Sequence, residues 1–310
     1  VGWGKVILLG EHAVVYGRPA IAGALARGIE VAASESTAPP RLRIPAWSLD
    51  ARVGDGSTVA RALEAALTTA FQVDEPADLP ALDLTAEPDL PLAAGLGSSA
   101  ALAVGVVRAA LRWAQRPLTD DHVSRAAFSA EQVFHGSPSG VDNELAAKGG
   151  IGLFRRGSAL TPLAITAPIT VAVGLSGQTR NTAERVAQVA ALQARFPAVV
   201  EALFDAIGAA VDSGAAALAQ GDLPRLGELL SLNHGLLTAL GLSTPKIEQL
   251  RTLALEAGAL GAKLTGAGGG GCVVALCPPN GVAPHAIIDR WRHHGFQGFV
   301  TLLGASPTRD

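Results

Sequence analysis

Short apolar runs alternate along this chain with longer stretches of helical spacing. Val6 to Leu9 is apolar, Gly10-Glu11-His12 interrupts it, and Ala13 to Tyr16 resumes the pattern as far as Gly17 and Pro19. This predicts a strand, a turn and further extended or helical chain. Ala38 to Gly56 mixes Pro, Gly and polar residues and reads as a loop or irregular strands. Thr58 to Phe71 has helical spacing through Val59, Leu63, Ala66, Leu67 and Ala70. Asp89 to Gly97 is turn-rich, and Ser98 to Ala114 then predicts a helix with Ser98 or Ser99 as N-cap. Thr119, Asp120 and Asp121 open another, which runs to Phe134 and stops at Gly136 and Pro138.

Beyond Ile169 to Leu175, a strand pattern, come helical tracts at Thr182 to Phe196, Val199 to Ala219, Leu223 to Leu240 and Pro245 to Ala257. Gly266 to Gly271 is a glycine run feeding an apolar strand from Cys272 to Cys277. A mixed first half and a helix-rich second half that returns to a sheet make an α+β plan, with a border between Gly149 and Pro168.

Composition narrows the picture. The 310 residues suffice for two packed domains, and 49% hydrophobic against 16% charged residues makes the chain globular rather than disordered. Aromatics are only 4%, so the core must be built from Ala, Val and Leu with helices packed closely. A net charge of −3 leaves no footprint for nucleic acid or an anionic membrane. The best apolar candidate for a membrane span, Ala100 to Ala114, is broken by Arg108 and Arg112, and no membrane partner or signal peptide is expected. Cys272 and Cys277 read as buried free thiols in a reducing compartment, the cytoplasm being the expected location.

The chemistry centres on Pro91 to Ala101. Gly95 and Gly97 precede Ser98 and Ser99 at the start of a long helix. Glycines let a backbone approach an anion, first-turn N–H groups stabilise its charge, and serine hydroxyls can donate to phosphate or ligate a hard cation. The Walker A pattern fails because no Gly-Lys-Ser/Thr ends the loop. Gly95, Gly97 and Ala100 fit a dinucleotide fingerprint, but Asp89-Leu90-Pro91 precedes them where a buried strand is required. On this segment alone a helix entry without a ligand stays open. Two more segments add weight. Lys263 to Gly271 holds more glycine than a turn needs, and Gly4 to His12 sets Lys5 at the head of an apolar strand beside an acid and an imidazole.

In order and spacing these three segments resemble the signature motifs of the galactokinase, homoserine kinase, mevalonate kinase and phosphomevalonate kinase (GHMP) superfamily, from Gly4 to about Leu276. Gly4 to Gly17, His135 to Asn143, Thr179 to Thr182 and Lys263 to Cys272 resemble its mevalonate kinase branch, as do Asn233 to Leu237 and Leu240 to Leu242. Gly2-Trp3-Gly4-Lys5 departs from the family's Ala-Pro-Gly-Lys, with Trp3 in place of the stiff proline.

The resemblance implies a two-domain GHMP kinase fold, residues 1–160 and 161–310, with the active site between them. The first domain would resemble ribosomal protein S5 with a left-handed βαβ unit, the second a helix-rich ferredoxin-like domain. It implies ATP and mevalonate as substrates and Mg²⁺ as cofactor. Asp142 would face the acceptor hydroxyl, as base or as orienting group, with Lys5 beside it to favour charge on the alkoxide or the transferring phosphoryl. Pro91, Gly95, Leu96, Gly97, Ser98, Ser99 and Ala100 would take the nucleotide, and Ser99 with Glu131 the metal. Glu11, His12, Arg180, Thr182, Gly266, Ala267 and Gly268 would lie on the acceptor side, with Arg180 suited to a carboxylate. A structural role for His12 stays open beside this. So do other acceptors (phosphomevalonate, homoserine, a sugar) and a non-catalytic sensor, against which Lys5, Ser99, Glu131 and Asp142 argue. The sequence does not give the oligomeric state; a homodimer is compatible with it.

Overall fold

The computed structural model describes residues 1–91, 94–135, 139–179, 181–279 and 283–304. Strand β1 (Gly2–Leu9) runs antiparallel to β2 (Ala20–Glu35), and a 3-10 turn at Ala13–Tyr16 lies between them. β3 (Arg41–Ile44) and β4 (Leu49–Arg52) form a short hairpin, α1 (Thr58–Phe71) follows, and β5 (Leu82–Pro88) joins β2 to β3. Helices α2 (Ser98–Trp113), α3 (Asp120–His135) and α4 (Val141–Lys148) lead into the hairpin β6 (Ile151–Phe154) and β7 (Thr161–Pro162). The remainder is β8 (Ile169–Leu175), α5 (Thr182–Arg195), α6 (Pro197–Gln220), α7 (Leu223–Ala239), α8 (Pro245–Glu256), β9 (Gly261–Thr265), β10 (Cys272–Leu276), α9 (Ala283–His293) and β11 (Gln297–Leu303).

The main sheet runs β4-β3-β5-β2-β11-β8-β10-β9, and β1 and β6 also pair with β2. Among the described residues, β11 joins β2 in the main sheet through one bridge, Leu303 to Leu25. Helices α1, α2 and α3 pack through alanines, among them Ala62, Ala66, Ala103, Ala126 and Ala130. Small side chains bring α2 directly onto the sheet: a Cβ on Gly105 would stand 2.8 Å from the Val31 side chain, and one on Gly2 would stand 2.0 Å from the Ala101 carbonyl. In the second half the sheet is covered by α8 and α9, where fully buried Trp291 donates its indole N–H to the Leu250 carbonyl at 2.8 Å.

Three expectations change. Gly97, not a serine, is the N-cap of α2, because the turn needs φ 73°, which glycine takes without strain. Ser98 and Ser99 therefore stand in the first turn, with no side-chain capping bond formed there. The span candidate also moves: among the described residues the 24-residue α6 is long and apolar enough to cross a membrane. It packs instead on α5, α7, β1 and β2, and its Glu201 and Asp205 pair with Arg18 at 2.6 and 2.8 Å. Finally β2, β5, β6, β7, β9, β11, α4 and α9 are elements that the apolar pattern does not announce.

Candidate active site

A cavity of about 350 Å³ opens where the end of β1, the starts of α2, α4 and α5, and the glycine run after β9 converge. Its making begins in β1. The register against β2 slips between Trp3 and Lys5, and the Lys5 backbone N–H donates to the Leu96 carbonyl at 2.8 Å. Irregularities of this kind re-aim side chains beside functional sites. The bond also ties the Gly95–Gly97 turn to the strand. Gly97 must be glycine twice over: besides its positive φ, a Cβ there would stand 2.8 Å from Lys5 Cγ.

Across this turn Lys5 Nζ lies 3.1 Å from Asp142 Oδ1, with the side chains 12% and 33% exposed. Asp142 sits in the first turn of α4, whose N-cap is Gly140 at φ 83°. Lys5, Asp142, Gly95, Gly97, Ser98 and Ser99 share one wall of the cavity. Neighbouring Asn143 is buried, and neither atom of its side-chain amide has a hydrogen-bond partner.

Glu11, His12, Thr182, Gly266 and Ala267 also line the cavity. His12 is the centre of a three-residue turn: Ala13 N–H donates to the Glu11 carbonyl at 2.7 Å, and His12 has φ 60° and ψ −49°. This is the strained form of the γ-turn, and such strain costs on the order of 1–3 kcal/mol. A hydrogen bond of 2.9 Å between His12 Nε2 and the Ala267 carbonyl pins it. Burial pushes the His12 imidazole below its usual range, which the Ala267 bond and Glu11 only partly offset.

Both carboxylate oxygens of Glu11 are taken. Oε1 accepts from Lys263 Nζ and Oε2 accepts from Asn233 Nδ2 at 3.2 Å. Lys263 is fully buried on β9 and also donates to the Leu264 carbonyl at 2.6 Å.

The cavity thus unites Lys5, Glu11, His12, Gly95, Gly97, Ser98, Ser99, Asp142, Thr182, Gly266 and Ala267. Leu96 and Ala100 lie behind this surface as fully buried residues, and Gly268 turns at φ 74° against Leu242. Pro91 borders a neighbouring cavity of about 480 Å³ with Asp89 and Phe299. Glu131 is buried on α3 and is not among the residues that line the site. Arg180 lies outside the described residues. Sequence reasoning passed over an apolar wall of Ile7, Val14, Val15 and Val186. Val186, one helical turn beyond Thr182, could have been found from α5 periodicity. It also passed over Lys263 as the partner of Glu11; a lone lysine inside an apolar strand was the available signal.

The GHMP kinases N terminal domain model matches residues 57–150, and the GHMP kinases C terminal model matches residues 215–296. The mevalonate kinase of Pyrococcus horikoshii is 36% identical over 296 residues, covering 88% of this chain and 87% of that protein. The chain belongs to the mevalonate kinase family of GHMP kinases. The Thermococcus sibiricus mevalonate kinase is 35% identical, with 88% of this chain and 87% of that protein covered. Among solved structures, L. major mevalonate kinase in complex with R-mevalonate superposes with a TM-score of 0.83 at 30% identity, covering 98% of this chain and 96% of that one. As a GHMP kinase the chain is an ATP-dependent small-molecule kinase with the mixed α/β GHMP fold.

Proposed function

We propose that this GHMP kinase phosphorylates the 5-hydroxyl of mevalonate, producing 5-phosphomevalonate and ADP. The observation that carries the chemistry is the Lys5–Asp142 pair at 3.1 Å, set against the Ser98–Ser99 helix start in one cavity. The acceptor is supported by the relatives named mevalonate kinase at 36% and 35% identity. The triphosphate lies along the glycine turn and the first turn of α2, where backbone N–H groups and the Ser98 and Ser99 hydroxyls meet its charge. Asp142 orients the acceptor hydroxyl and takes its proton. The hydroxyl oxygen bonds to the γ-phosphorus as the bond to the β–γ bridging oxygen breaks, and ADP leaves. Lys5 stabilises the negative charge that gathers on the transferring group.

Oxygen donors suit Mg²⁺, which takes few protein ligands and keeps several waters. The Ser99 hydroxyl lines the cavity, the Glu131 carboxylate is buried on α3, and the Asn143 amide next to Asp142 lacks a partner. We assign Ser99 and Glu131 as the residues that hold the ion, which neutralises phosphate charge when bound. Arg180 is the cation we assign to the acceptor carboxylate, with Thr182 beside it in the sequence. His12 shapes the acceptor wall through its pinned turn. The proposed units 1–160 and 161–310 meet within the β6–β7 hairpin. Cys272 and Cys277 are both buried without a disulfide between them, which suits a reducing compartment, so we place the enzyme in the cytoplasm.

Coupled ADP release with Mg-ATP tests the acceptor. Mevalonate is expected to turn over at least tenfold faster than phosphomevalonate, homoserine or galactose, each at about 1 mM. Turnover with one of these and none with mevalonate rejects the acceptor while leaving the kinase chemistry standing.

A further inference from the structure

Two acidic residues line the cavity, Glu11 and Asp142, and each has its own lysine. The Lys5–Asp142 pair touches the open space, but the Lys263–Glu11 pair is sealed, its side chains 0% and 1% exposed. A fully buried ammonium on a five-residue sheet strand is expensive to keep, and an apolar residue would pack there at less cost. Lys263 therefore needs a reason beyond packing. Among the described residues, the groups that face Glu11 are Lys263 from β9, Asn233 from α7 and His12 next in the chain. Asn233 is uncharged and burial lowers the pKa of His12; burial lowers that of Lys263 too, but Glu11 acts to raise it, and the direct contact of Nζ with Oε1 makes Lys263 the cation that balances Glu11.

We propose that Lys263 is a charge-compensating positioning residue for the acceptor: it cancels the Glu11 carboxylate buried behind the cavity wall, so that an anionic alcohol can sit near it. This rests on the reading that the acceptor is a carboxylate-bearing alcohol. Unbalanced, Glu11 would repel both that carboxylate and the triphosphate opposite it, in a wall where charges are poorly screened. Held at both oxygens, Glu11 instead fixes the backbone from which the strained His12 turn projects.

The test uses the full chain as Lys263→Met, Glu11→Gln and the double variant, with kcat and both KM values measured from about pH 6 to pH 8.5. Lys263→Met is expected to raise the mevalonate KM about tenfold near pH 8, with kcat and the ATP KM within about threefold of wild type. The double variant, neutral again, should return the mevalonate KM to within about threefold of wild type. A merely structural lysine would lower kcat and both affinities together and show no rescue, and either result overturns the proposal. So does an unshifted mevalonate KM in Lys263→Met. Should that variant not fold, the double variant decides: near-wild-type KM supports the proposal, and a tenfold rise refutes it. Wild type that fails to phosphorylate mevalonate overturns the acceptor reading and this inference with it. Turnover by wild type beside an unresponsive Lys263→Met overturns this inference alone.

Discussion

Lys5–Asp142 and Lys263–Glu11 are chemically the same pair in two different settings. The first lines the cavity with side chains 12% and 33% exposed, and the second is closed off at 0% and 1%. An ion pair in contact with solvent contributes about 0–1 kcal/mol to stability, so the Lys5–Asp142 contact adds little to the fold, in keeping with the catalytic role proposed for it. A sealed pair is different. Each partner obliges the other, because removing one leaves a desolvated charge with nothing opposite it. The difference separates the pair we assign to the reaction from the pair we assign to shaping the space around it.

The largest effect should come from breaking the open pair. Asp142→Asn keeps the shape and removes the carboxylate, and kcat should fall about 10²–10⁴-fold in the ADP-release assay. Its urea midpoint should move little. The sealed pair should reverse this pattern: Lys263→Met should lose about 3–5 kcal/mol in urea denaturation, with Lys263→Met/Glu11→Gln recovering much of it. An equal stability loss in Lys5→Met would erase the distinction. Gly97→Ala falls next. Its φ of 73° and the 2.8 Å approach to Lys5 Cγ should cost about 1–3 kcal/mol and raise the ATP KM, because the turn and the lysine move together.

The smallest effect is on pH dependence. Burial lowers the pKa of His12 and of His234 from 6.5, against partial restoration by Ala267 and Glu11 for the first and by Glu248 for the second. The unfolded chain therefore takes up those protons first. Their contribution to stability is present above pH 6.5 and is lost as pH falls through the lower folded-state values. Urea midpoints should decline below that pH, and His234→Gln should flatten the decline. An unchanged slope would remove His234 from the account.

Much of this contrast was legible in the sequence on one side only. The open pair belongs to glycine-marked motifs, and the helices Thr58–Phe71 and Pro245–Glu256 and the strand Ile169–Leu175 follow their apolar spacing closely. β2 was hidden because Ala20–Glu35 is rich in Ala and Gly and lacks clean alternation. β1, β6 and β11 pair along its first half, which is buried on both faces and carries small apolar residues on each. α4 was hidden for another reason: eight residues give too little periodicity for a helix signal. The sealed pair joins residues 252 positions apart. No local pattern links Glu11 to Lys263, so only the fold could reveal that the acid is already matched.

A crystal structure with mevalonate and a non-hydrolysable Mg-ATP analogue tests the central claim most directly. The account predicts Asp142 within about 3.2 Å of the acceptor hydroxyl, Lys5 at the same distance from the γ-phosphate or that hydroxyl, and the triphosphate along Gly95–Ser99. A complex with the acceptor hydroxyl and γ-phosphate bound away from both Lys5 and Asp142 would contradict it.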